Sequence, residues 1–107
     1  MNQTDNPTII YIIIYNMKKL NFQQFSAPIG VSRKNRRTGD VRENFADLIF
    51  LNINGIKAHA LAMKIYKSEG WTAYSHEEIE LIVRVAENLC VPNFIDGLKE
   101  QLEGGAE

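Results

Sequence analysis

The sequence predicts an α+β fold: a short N-terminal β-hairpin or small sheet followed by three to four packed helices. Three observations carry that reading. Upstream of Asp40 the apolar residues alternate or run together as β-branched and aromatic clusters, broken by Pro28 and Gly30. From Asp40 onward they recur at three- and four-residue spacing, the period of a helix packed on one side. Ser75 followed by Glu78, and Pro92 placed just after an apolar stripe, mark helix starts of specific chemistry. A chain of 107 residues is large enough for one core and too small for two.

The first element is the most apolar. Ile9 to Tyr15 are seven consecutive apolar or aromatic residues, well short of the ~20 that a membrane helix requires. Asp5 precedes the run and Lys18-Lys19 follow it, the reverse of a signal peptide's charge order. Two readings stand: residues 1–16 form an extra strand, or Met17 opens the natural protein and the residues before it are a non-native leader. If native, Ile10, Ile12 and Ile14 are candidates for apolar self-association, since an exposed run of this kind is an aggregation segment unless covered.

Residues 20–31 are too broken by Pro28 and Gly30 for a helix, and their alternation predicts one irregular or bulged strand at an edge. Residues 32–40, S-R-K-N-R-R-T-G-D, are polar and basic and read as a loop at a hairpin tip. Asp40 is placed to cap the next helix, with Glu43 three residues on. Val41, Phe45, Leu48, Ile49 and Asn52 then share a helical face, although the bulky run 45–53 also suits a strand. Asn54-Gly55 predicts the stop of that helix.

The alanine-rich stretch 56–67 is a strong helix former and ends at Ser68-Glu69-Gly70. Residues 71–74 leave room for a short extended piece. Ser75 as N-cap, Glu78 at N3, and Tyr74 and Ile79 flanking them give a capping box with a hydrophobic staple. Ile79, Ile82, Val83, Ala86, Leu89 and Cys90 form the apolar stripe of that helix. Pro92 stops it and serves as N1 of a final helix buried through Phe94, Ile95, Leu98 and Leu102. Gly97 inside that helix costs about 1 kcal/mol against alanine, so a close packing contact is expected there. A single domain over residues 17–103 and a disordered tail over 104–107 complete the division.

The net charge of −1 conceals an asymmetry. Residues 1–68 carry ten Lys or Arg against four Asp or Glu, and residues 69–107 carry two against nine. Halves of +6 and −7 imply a polar partner for one of them, or attraction within or between chains. One cysteine forms no internal disulfide and points to an intracellular, cytoplasmic protein.

Few residues carry candidate chemistry. His59 lacks a second ligand at the i+3 or i+4 position, where Ala62 and Met63 stand, so a packed helical histidine is the simpler account. His76, Glu77, Glu78 and Glu80 read as a solvated helix start. Cys90 lies near a helix C-terminus, where nothing lowers a thiol pKa. Neither a nucleotide-binding glycine loop nor a hydrolase or zinc-protease motif occurs, so no enzyme class, cofactor or metal is implied. Arg33, Lys34, Arg36, Arg37 and Arg42 are five cations within ten residues. Three accounts compete for them: a solvated loop, contact with an acidic protein surface, or contact with nucleic-acid phosphates.

The stretches A-L-A-M-K-I-Y-K-S-E-G (60–70), Y-S-H-E-E-I-E-L-I (74–82) and P-N-F-I-D-G-L (92–98) resemble small uncharacterised proteins of phages, prophages and mobile elements. The resemblance spans about residues 20–102. It implies a layout of hairpin, helices and a proline-started last helix, and a genetic setting, but no catalytic residues. Together these readings lead to the expectation of a small non-enzymatic interaction or assembly protein. Its basic N-terminal half would dock on an acidic helical surface, either its own or a neighbour's, and homo-oligomers are expected. The alternative is a nucleic-acid-binding regulator using residues 33–42.

Overall fold

The computed structural model describes residues 17–104; Ile10, Ile12 and Ile14, and the expectations placed on residues 1–16, lie outside the described residues. Four strands and four helices follow in the order β1 (Lys18–Leu20), β2 (Phe25–Ile29), β3 (Asn35–Gly39), α1 (Arg42–Asn52), α2 (Ile56–Lys67), β4 (Thr72–Tyr74), α3 (His76–Leu89) and α4 (Pro92–Gly104). The α+β fold class is as the sequence predicts; of the two readings of 45–53 the favoured helix holds through Asn52, and α4 runs one residue into the expected tail.

The strands form two separate antiparallel pairs. β1 pairs with β4 in the register Lys18↔Tyr74 to Leu20↔Thr72, which ties the first described residues to the connector before α3. β2 and β3 form a hairpin from Phe25↔Gly39 to Ile29↔Asn35. The single irregular strand expected over 20–31 is therefore two strands in two sheets. Asn21 divides them: its Oδ1 accepts from the backbone N–H of Gln23 (3.0 Å) and of Gln24 (2.8 Å), folding the chain into a bend. The Asn21 backbone is held in turn by both ends of the Gln101 amide, at 2.8 and 3.1 Å.

The basic loop expected over 32–40 is corrected as well. Only residues 30–34 turn, with Gly30 and Arg33 at positive φ, and Asn35–Gly39 are strand. All five side chains of β3 are exposed, so the strand carries no apolar alternation for a pattern to reveal. Backbone pairing with β2 is what defines it.

Asp40 does not cap α1. Val41 is the N-cap, without a side-chain capping bond, while Asp40 Oδ1 accepts from the Arg42 backbone N–H at 3.0 Å and the carboxylate grips the Arg42 guanidinium. That ion pair lowers the Asp40 pKa through the hydrogen bonds from Arg42. Gly55, expected to stop α1, instead starts α2: it is the α2 N-cap at φ +112°, and α1 ends at Ile53 in extended conformation. The capping box on α3 is present in both directions, Ser75 Oγ accepting from the Glu78 N–H (3.2 Å) and Glu78 Oε1 from the Ser75 N–H (2.8 Å).

One core draws on every element but β3: Leu20 from β1, Phe22 from the bend after it, Phe25 from β2, Phe45, Ala46 and Ile49 from α1, Leu61, Ala62 and Ile65 from α2, Tyr74 from β4, Ile82, Val85 and Ala86 from α3, and Leu98 from α4. Its centre is aromatic. Phe22 stacks on Phe45 at 5.3 Å, Phe45 on Phe94 at 5.2 Å and Phe94 on Phe25 at 4.5 Å, with Tyr74 edge-on to Phe22. Of the stripe expected on α3, Ile82 and Ala86 are buried and Ile79, Val83 and Cys90 half-buried; Val85 is buried, whereas Leu89 is exposed.

The close contact expected at Gly97 is found. A Cβ there would lie 2.8 Å from the Ser26 carbonyl oxygen and 2.9 Å from Ala27 Cβ. The missing side chain lets α4 lie directly on β2.

Candidate functional site

Two surfaces collect the side chains that the core does not use. The first is the β2–β3 hairpin with its cations. Because Gly97 brings α4 against β2, the acidic residues beside that contact, Asp96 just before it and Glu100 about one turn after, face the hairpin. Arg33 donates to Asp96 from Nε at 2.9 Å and also from Nη2. Arg36 Nη2 meets Glu100 Oε1 at 2.6 Å while its Nε donates to Ser26 Oγ at 3.0 Å. The Asn93 side-chain amide donates to the Pro28 carbonyl at the same seam. Arg42 is turned the other way, toward Asp40 and the Ser68 carbonyl (2.7 Å).

Of the five expected site cations, three are thus committed inside the chain, and Lys34 and Arg37 have no ion-pair partner among the described residues. The charge asymmetry of the sequence folds back on itself. Lys57 pairs with Glu77 at 3.6 Å and Lys64 with Glu78 at 2.9 Å, so four ion pairs join the basic half to the acidic half. Burial raises the Glu78 pKa, but the Ser75 backbone N–H and Lys64 outweigh it, and the net effect is a lowered value. His76 Nε2 lies 3.0 Å from Glu80 Oε2. Each carboxylate at the start of α3 therefore has its own neighbour. Among the described residues no three His, Cys, Asp or Glu side chains are placed to hold a metal ion. Cys90 is half-buried and its surroundings push the thiol pKa up.

The second surface is apolar and was not singled out from the sequence. α2 buries Ala58, Leu61, Ala62 and Ile65, yet it also carries Ile56, Met63 and Tyr66 on a second face that stands in solvent. Phe50 from α1 extends this face and lies 4.9 Å from the His59 ring, centroid to centroid. His59, expected as a packed helical histidine, is thus an exposed member of an aromatic edge. Glu43 and Asp47 of α1 line a shallow groove with Phe50, Met63 and Tyr66. The signal was present in the sequence, since positions 56, 59, 63 and 66 repeat at three- and four-residue spacing. It overlapped the spacing of the buried face, and only the packing tells the two apart.

No helix among the described residues is long and apolar enough to cross a membrane. No family model, curated protein or solved structure matches the chain.

Proposed function

We propose that the chain is a small non-catalytic interaction or assembly protein, acting in the cytoplasm in the mobile-element setting that its sequence resembles. The observation that carries this reading is the apolar face of α1 and α2: exposed Phe50 borders one groove with Met63 and Tyr66 and a second with Ile56 and His59. Exposed apolar side chains scattered singly need no explanation, but a contiguous group with a charged rim is what a contact surface requires. The cations of the hairpin support the same reading from the other side. Arg33 and Arg36 are engaged by α4, so binding a phosphate there would mean giving up Asp96 and Glu100.

Nucleic-acid binding through Lys34, Arg37 and their neighbours in residues 33–42 is the competing reading, favoured by the two cations that have no ion-pair partner among the described residues. One experiment separates them. The mass of the full chain in solution is followed against concentration, and its binding to random duplex DNA is followed against salt. The assembly reading expects a mass that grows with concentration and little duplex binding. A monomer that binds duplex with a steep negative salt slope, abolished in Arg36→Glu/Arg37→Glu, overturns it in favour of the regulator.

A further inference from the structure

Resting on the assembly reading, we infer that the occupant of the exposed α2 face is a second copy of the same chain, docked with the two α2 helices side by side and parallel. The first argument is the stripe. Ile56, His59, Met63 and Tyr66 are spaced three, four and three, the spacing of the a and d positions along which two parallel helices meet. At ~100° per residue they fall within about 80° of arc, so they form one seam rather than a scatter.

The second argument is charge. Around α2, the buried Ala62 lines the groove toward α1, the exposed seam comes next, and Lys67, Ala60 and Lys64 follow on the far side. The seam therefore has an acidic rim of Glu43 and Asp47 on α1 and a basic rim of Lys64 and Lys67 on α2. Glu43, Asp47 and Lys67 have no ion-pair partner among the described residues. A two-fold rotation about a line along the seam lays the acidic rim of each copy against the basic rim of the other. A two-fold perpendicular to the helices, which would make them antiparallel, sets acid against acid. An isologous contact must be complementary to itself, and the parallel arrangement satisfies that condition.

The third argument is size. Ile56 is 87% exposed, Tyr66 53%, Phe50 50% and Met63 40%. Together they leave on the order of 400 Å² uncovered per copy, the size at which an exposed patch begins to mark a contact. Two such faces with their rims reach only the lower end of specific interfaces, so the dimer is a weak one.

The test is a charge swap in the full chain, read by sedimentation equilibrium. Lys67→Glu alone and Glu43→Lys/Asp47→Lys alone each place like charges across the seam, and each should self-associate at least about tenfold more weakly than the wild type. Mixed, the two variants should form a heterodimer in preference to either homodimer, because the swapped position 67 of one copy then faces the swapped positions 43 and 47 of the other with opposite sign, the second rim is unaltered, and Lys64 stays paired with Glu78. Circular dichroism of each variant checks that both are folded. Met63→Glu should abolish the dimer, whereas Ile12→Asp should leave it intact. A wild-type chain that remains monomeric at the highest soluble concentration, or a mixture that associates no better than the separate variants, overturns the proposal. If Ile12→Asp abolishes association and Met63→Glu does not, assembly stands and this surface is eliminated.

Discussion

The inner face of α4 and the outer face of α2 are built from the same materials and end differently. Each is an apolar helix face bordered by opposite charges. On α4 the face is closed: Gly97 admits the β2 backbone, Phe94 enters the aromatic stack, and Asp96 and Glu100 take up Arg33 and Arg36. On α2, Ile56, Met63 and Tyr66 meet no such cover, and Glu43 and Asp47 across the groove no ion-pair partner, among the described residues. The contrast teaches that charge pattern and apolar spacing alone do not decide whether a face is closed from within the chain or left for a partner. What the inner face of α4 has, and the outer face of α2 lacks among the described residues, is a strand that approaches to backbone distance.

The largest test of that contrast removes a ring from the closed side and a side chain from the open one. Phe45→Ala should cost about 3–5 kcal/mol of stability in chemical denaturation, because it leaves a cavity between Phe22 and Phe94. Met63→Ala should change stability by no more than about 0.5 kcal/mol in dilute solution, where any dimer has dissociated. Next comes Gly97→Ala. In an exposed helix this change stabilises by about 1 kcal/mol, but here the new methyl meets the Ser26 carbonyl, and a loss of about 1–3 kcal/mol in the urea midpoint is expected.

A smaller effect is expected at the start of α3. Ser75→Ala removes one half of the capping box and should cost about 1 kcal/mol. Glu78 makes the same junction sensitive to acid. Its folded pKa lies below the ordinary value of 4.5, so its contribution is present above pH 4.5 and is lost as pH falls through the folded value. Unfolding curves of Glu78→Gln should accordingly depend less on pH than the wild type in the acid range. A small effect is also expected at Tyr74, whose hydroxyl is buried beside Ser68 with no well-formed hydrogen bond among the described residues, since the Ser68 hydroxyl donates to the Ile65 carbonyl at 2.7 Å. Burial raises the Tyr74 pKa, and Tyr74→Phe should be neutral or stabilising by up to about 1 kcal/mol in a thermal melt.

The helices were legible from the sequence to different degrees. α3 and α4 were legible nearly to the residue, since Ser75, Glu78 and Pro92 act within one turn of where they stand. α1 was legible as a helix, but its cap was misread. Val41 is the N-cap, so Asp40 stands one residue too early, and its carboxylate takes the Arg42 backbone N–H and guanidinium instead. β3 was not legible at all, because a strand exposed on every side chain has no pattern. Of the candidate site, the cations were found, but their partners were not. The Arg33–Asp96 and Arg36–Glu100 pairs span 63 and 64 residues.

By itself, then, the sequence determined the α+β class, the three- and four-residue periods of the helices, the capping box and the opposite charges of the two halves. These rest on interactions between residues a turn apart, which act before any packing exists. Tertiary structure alone decided that Asn21 splits one strand into two and holds Gln101 across 80 residues, that Arg33 and Arg36 face α4, and which of the two apolar faces of α2 is buried. A helix with two apolar faces offers both equally to its surroundings, and the elements that arrive from elsewhere in the chain choose between them.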